Sequence, residues 1–116
     1  MWLEQDYIDR WAFDYCRNVK DDPEVWSMIE GSKYAYLYCK YVSNRSEVRQ
    51  LIRESEYAAF YCEDVSDDKD MREKITEKQW LYYYYKFIKR DPSEAQKYSG
   101  AYPKLLGRIV ERIAEV

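Results

Sequence analysis

Three cysteines and a dense set of carboxylates are the residues of this chain whose types invite chemistry. Cys16, Cys39 and Cys62 recur at a constant interval of 23 residues. Converging thiolates bind soft metals, but structural zinc asks for closely spaced cysteines and a fourth ligand, commonly histidine. The chain contains no histidine. A disulfide needs Cα atoms within about 7 Å, and packed helices stand ~8–10 Å apart. The expectation is three small buried hydrophobes, with no metal and no cofactor.

Carboxylate pairs can do acid–base, glycosidic or metal-assisted work. Here Asp21, Asp22, Glu24, Asp67, Asp68 and Asp70 all fall at one corner of a repeating unit. Negative side chains at helix starts offset the helix dipole, so capping accounts for them. The run DDKD from Asp67 to Asp70 lacks the glycine and distal glutamate of a calcium loop. Without histidine there is no Ser-His or Cys-His couple, and no glycine string able to cradle phosphate occurs. A non-enzymatic protein is expected. In an alternative reading the acidic corners imitate a phosphate backbone and block a nucleic-acid channel.

What positions these residues is an internal repeat. Blocks of 23 residues begin at Trp11, Tyr34, Tyr57 and Trp80 and run without a gap to Tyr102. An aromatic fills the first place, and Tyr15, Tyr38, Tyr61 and Tyr84 the fifth. Cys16, Cys39, Cys62 and Tyr85 fill the sixth place; Val19, Val42, Val65 and Ile88 fill the ninth. Ile29, Ile52, Ile75 and Tyr98 form a column at the nineteenth. Places one, two, five, six and nine share one face of an α-helix. Each block therefore opens with a helix of about ten residues, too short to be stable alone. A polar corner follows, where Asp22-Pro23 and Asp91-Pro92 read as an N-cap with proline in the first turn. A shorter second helix carries Val25, Met28 and Ile29, or Val48, Leu51 and Ile52. Gly31 and Gly100 close it in a left-handed turn.

The fold class expected is all-α: a short right-handed α-solenoid of about four helix-pair repeats with terminal caps. Residues 1–10, with Trp2, Leu3 and Ile8, supply one cap. Repeats cover 11–33, 34–56, 57–79 and 80–102. A last helix over 103–116, with Leu105, Leu106, Ile109, Val110 and Ile113 at helical spacing, supplies the other. All of this is one domain of 116 residues.

The formal net charge of −3 gives no basic footprint for nucleic acid. No apolar run approaches the ~18 residues of a membrane span. The start, MWLEQDYIDR, has neither the basic nor the apolar region of a signal peptide. An odd cysteine count suits a reducing compartment. A short standalone cytoplasmic protein without membrane contact is the expectation.

The corners DDPEVW (Asp21 to Trp26), NRSEVRQLI (Asn44 to Ile52) and DDKDMREKI (Asp67 to Ile75) resemble the D-x-x-V-R corner of HEAT-like repeats. They are still more similar to leucine-rich-repeat-variant units, which pair an α-helix with a short second helix. YAYLYCKYV resembles Tyr-Ala-rich tandem repeats of phage and bacterial proteins of unknown function. The resemblance spans residues 11–102, but the variant family's Asn-Pro turn is missing and the aromatic load is higher. It implies protein or nucleic-acid binding and carries no active-site pattern.

Places three, four, seven and eight of the first helices are expected to face outward or lie at the margin. They hold Phe13, Arg17, Tyr36, Leu37, Lys40, Tyr41, Phe60, Tyr82, Tyr83, Lys86 and Phe87, of which Leu37 and Phe60 are assigned to packing against the short helices. Aromatics flanked by Arg or Lys are common anchors of protein interfaces. The function expected is a non-catalytic protein-binding module, with a phage-type inhibitor of a host defence complex as the assignment the resemblance suggests. Nucleic-acid binding through tyrosines and Arg17, Lys40, Lys86, Lys89 and Arg90 is the disfavoured alternative, because Glu63 and Asp64 break the basic line. A homodimer through the aromatic face is also open.

Overall fold

The computed structural model describes residues 4–101. Eight α-helices occur among them: α1 Gln5–Asn18, α2 Pro23–Trp26, α3 Ser32–Tyr41, α4 Ser46–Arg49, α5 Ser55–Asp64, α6 Lys69–Glu73, α7 Lys78–Tyr83 and α8 Pro92–Gln96. A π-helical segment, Tyr84–Ile88, continues α7, and a 3-10 turn, Ser99–Ala101, ends the described chain. No strand occurs among the described residues, so the protein is all-α.

Long and short helices alternate in step with the sequence repeat. Long helices begin at Ser32, Ser55 and Lys78, and short ones at Pro23, Ser46, Lys69 and Pro92, every 23 residues in both series. Each long helix packs on the next, α1 on α3, α3 on α5 and α5 on α7, while α2, α4 and α6 each pack on the long helix before them. The extents are 46 × 28 × 21 Å.

Local chemistry sets these bounds. Asp22, Asp68 and Asp91 cap α2, α6 and α8 by accepting the backbone N–H of Glu24, Asp70 and Glu94, and Pro23 and Pro92 occupy the first turn as their fixed φ allows. The first three long helices end alike. Val19, Val42 and Val65 donate to the carbonyls of Tyr15, Tyr38 and Tyr61, and Lys20, Ser43 and Ser66 donate to the same three oxygens.

Several expectations need correction. Residues 5–10 are the opening turns of α1 and not a separate cap. Trp2, Leu3 and the expected closing helix 103–116 lie outside the described residues. Neither Gly31 nor Gly100 has a positive φ. Gly31 is extended (φ −86°) at the start of α3, and a Cβ there would stand 2.8 Å from Asp9 Oδ2, so close approach is what calls for glycine. Met28 falls after α2 and is exposed. Two core columns also fail at the first repeat: Trp11 is 52% exposed and Val19 69%, whereas Trp80 is fully buried. A terminal repeat has no preceding neighbour to cover its outer face.

Candidate interaction surface

Two polar columns hold neighbouring helix pairs together. Asp9, Ser32 and Ser55 stand at equivalent places near the starts of long helices, and all three are buried. Asp9 accepts the backbone N–H of Glu30 and Gly31, each at 2.9 Å. Ser32 Oγ accepts those of Arg53 (2.9 Å) and Glu54 (3.2 Å). Ser55 Oγ accepts those of Thr76 (2.9 Å) and Glu77 (3.1 Å). One side-chain acceptor thus satisfies two linker amides that would otherwise be orphaned.

The second column joins buried tyrosines to the corners of the preceding repeat. Tyr38 donates to Asp21 Oδ1 (2.6 Å), Tyr61 to Asn44 Oδ1 (2.9 Å) and Tyr84 to Asp67 Oδ1 (2.8 Å). The second oxygen of Asp21 takes Arg45 at 2.9 Å, and that of Asp67 takes Lys89 at 2.9 Å. Burial would raise the Asp21 carboxyl, but hydrogen bonds from Tyr38 and Arg45 outweigh it and hold the group below its ordinary value. The six corner acids therefore separate by role. Asp21 and Asp67 are structural acceptors and Asp22 and Asp68 are caps, which leaves Glu24 and Asp70 exposed on the first turns of α2 and α6.

Burial governs the cysteines. All three are free and buried. Burial pushes the Cys39 and Cys62 thiols up to about 12, so neither supplies thiolate near neutrality. Cys16, also raised by burial, lies 3.9 Å from the Asp22 carbonyl oxygen as a weak donor. Among the described residues no cluster of metal-ligating side chains is present, and no helix is long and apolar enough to cross a membrane.

The expected aromatic face is divided by burial. Phe13, Tyr36, Tyr82 and Tyr83 are buried, which corrects their placement as outward residues; Phe60, assigned to packing, is buried too. Tyr36 and Phe60 lie on helices flanked by a long helix on either side, while α1 packs on α3, and α7 on α5 and α8, so the covered arc is wider than one stripe throughout. Phe13 packs against Tyr34 and Tyr41, at 6.0 and 6.3 Å between ring centres. Phe60 meets Tyr36, Tyr57, Trp80 and Tyr83. The hydroxyls of Tyr36 and Tyr83 emerge to donate to Asp64 and Glu63, and Lys86 donates to the Tyr82 hydroxyl at 2.7 Å.

Tyr41 (38%) and Phe87 (43%) stay exposed, as do Arg17 and Lys86, with Lys40 half-buried. These residues and the two acids form one row across the long helices. Arg17 lies over the Tyr41 ring at 4.5 Å and Lys40 at 4.9 Å. Lys40 pairs with Asp64 at 3.5 Å. Beyond Glu63, Tyr83 contacts Phe87 at 5.2 Å, and Lys86 lies over Phe87 at 5.7 Å.

Of the concavities that sequence reasoning missed, two bear on binding. One, apolar and of about 440 Å³, is lined by Tyr7, Ile8, Trp11 and Met28. The other, of about 310 Å³, lies between the third and fourth units and is lined by Asp67, Lys69, Arg72, Tyr84, Tyr85 and Lys89. The sequence signal for it is the fourth block's departure from the cysteine column at Tyr85. Comparison with protein-family models, curated proteins and solved structures finds no match to this chain.

Proposed function

We propose that this chain is a non-catalytic protein-binding module, a short right-handed solenoid of four helix pairs of the HEAT-like or leucine-rich-repeat-variant kind. The row from Arg17 and Tyr41 to Lys86 and Phe87 is the surface it presents. The observation that carries this reading is the exposure of Tyr41 and Phe87 with cations fixed on their rings. Aromatic rings beside Arg or Lys, held in place before binding, are what interface anchors require. The row alternates in sign, cations at Arg17 and Lys40, acids at Glu63 and Asp64, then a cation at Lys86. A folded protein with mixed charge complements such a row, whereas a polyanion would meet the two acids at its centre. Occlusion of a partner's site, in a cytoplasmic setting, is the action that a small rigid edge of this kind serves.

Acidic mimicry is the weaker reading because Asp21 and Asp67 spend both oxygens inside the fold. The test is capture of a partner from the native host with Tyr41→Ala, Phe87→Ala and the double variant Glu24→Gln/Asp70→Asn in parallel. Tyr36 and Tyr83 are unsuitable, since truncating buried rings endangers the fold. The expected result is one partner weakened about 30-fold or more by Tyr41→Ala or Phe87→Ala and retained by the acid variant. Loss with the acid variant alone would replace this reading with mimicry. A mass that doubles with concentration in light scattering, and no longer does so in Tyr41→Ala, would assign the row to a second copy of the chain.

A further inference from the structure

The concavity between the third and fourth units is lined by residues whose repeat places recur at the other junctions. Its lining residues occupy places five, six, ten, eleven, thirteen and sixteen of the repeat. The same places between the second and third units hold Tyr61, Cys62, Ser66, Asn44, Ser46 and Arg49, and between the first and second Tyr38, Cys39, Ser43, Asp21, Pro23 and Trp26. The tyrosine-to-corner hydrogen bond is common to all three. It belongs to the scaffold, so what distinguishes the third junction is its other side chains.

That junction alone carries cations at three of the six places, Lys69, Arg72 and Lys89, and alone replaces cysteine by Tyr85. Its one acid, Asp67, is already saturated by Tyr84 and Lys89. Lys69 is exposed and has no ion-pair or hydrogen-bond partner among the described residues. The Arg72 guanidinium lies over the rings of Tyr84 (5.3 Å) and Tyr85 (5.1 Å) and donates one N–H to the Tyr85 hydroxyl. Its remaining donors are held at a fixed angle by that stacking. Tyr85 itself stacks on Tyr98 at 6.1 Å with the planes 8° apart, which gives the concavity a flat aromatic wall.

Backbone geometry departs from the repeat at the same point. The helix widens to a π-helix over Tyr84–Ile88, and Arg90 takes a left-handed φ of 55°. A tyrosine exceeds the space a buried cysteine fills, and the wider turn carries it out toward Arg72. π-Segments and left-handed non-glycine residues cost free energy and gather where a site needs them.

We propose that this concavity binds a phosphomonoester group. A phosphomonoester carries close to two negative charges and three acceptor oxygens, which matches three cationic donors around a saturated carboxylate. Arginine's fork and a point-charge lysine are the usual means of holding it. A single carboxylate brings half that charge to the same three cations. The proposal does not rest on the protein-binding row, because the concavity reads the phosphate group itself, free or borne on a protein.

The test is a titration of the full chain in phosphate-free buffer, followed by amide NMR shifts. The probes are phenyl phosphate, a short phosphoserine peptide and the same peptide unphosphorylated. Saturable shifts centred on residues 67–72 and 84–90 with a phosphorylated probe are expected, and none with the unphosphorylated peptide. Tighter binding of the peptide assigns the group to a protein partner, and binding of phenyl phosphate alone assigns it to a small ester. The double variant Lys69→Ser/Lys89→Ser installs the serines found at Ser46 and Ser66, which the fold accepts at its second junction. It should weaken binding about tenfold or more with helicity unchanged, while Arg49→Ala at the second junction leaves binding intact. No saturable shift, or equal loss in Arg49→Ala, would overturn the proposal.

Discussion

Ser32 and Ser55 each place one oxygen under two backbone amides of the linker that follows, and Asp9 does the same with two oxygens. Neutral hydrogen bonds contribute little net, but stranding a buried donor costs more than forming the bond contributes. Ser55→Ala strands Thr76 and Glu77 N–H together and should cost about 1–3 kcal/mol per stranded group, read from urea unfolding. Ser66→Ala, at an exposed corner residue, should stay within about 0.5 kcal/mol. Equal effects of the two substitutions would remove the ladder from the account of stability. This column escaped the sequence reading because its members differ in type and their partners are main-chain groups, which leave no side-chain pattern. The signal available was a small polar or acidic residue two places before the opening aromatic of the first three blocks (Asp9, Ser32 and Ser55), replaced by Lys78 in the fourth.

At the scale of the helix, the fourth unit is the informative exception. Its predecessors end on α-helices whose last turn closes over a buried cysteine. Lys89 donates to the Tyr84 carbonyl (2.9 Å) as Lys20, Ser43 and Ser66 do at the equivalent place. Only here does the chain continue as a π-helix, with Asp91 donating back to Tyr85 (2.7 Å) across a wider turn. Tyr85→Cys restores the repeat's residue at that place. The expected outcome is an α-helix running through residue 88 and an Arg90 outside the left-handed region, seen in backbone chemical shifts, with loss of the shifts that phenyl phosphate induces. A π-segment that survives the substitution would locate its cause elsewhere than in the size of Tyr85. The sequence marked this block as divergent but gave no means of telling a strained turn from a merely more aromatic helix. Hydrogen-bond geometry decides that.

For the whole molecule, the question is whether stability is the sum of like units and their junctions. In a linear stack, energies are close to additive in repeats and nearest-neighbour interfaces. Deleting residues 34–56 joins the first unit to the third in register, and the junction residues on both sides belong to equivalent columns. The shortened chain should fold to a helical protein with a smaller denaturant slope and lower stability, measured by circular dichroism through a urea titration. A chain that fails to fold would argue for a single interlocked core in place of a stack of units.

The amino-acid sequence determined the class and spacing of the elements. A 23-residue period with apolar residues on one helical face forces short helices to pack on their neighbours, and Asp-Pro pairs set where the short ones begin. It also determined the fate of the cysteines, since a residue type recurring on the inner face is core before it is reactive. Only the tertiary structure decided which aromatics remain outside. Burial of places three and four depends on what packs over each helix, so Phe13, Tyr36, Tyr82 and Tyr83 are buried while Tyr41 and Phe87, both at place eight, are not. It decided likewise that Asp21 and Asp67 are spent on tyrosines a repeat away, and that Lys69, Arg72 and Lys89 share one concavity. Proximity of residues more than a helical turn apart is a property of how units stack, and a periodic sequence states the period without stating the stacking geometry.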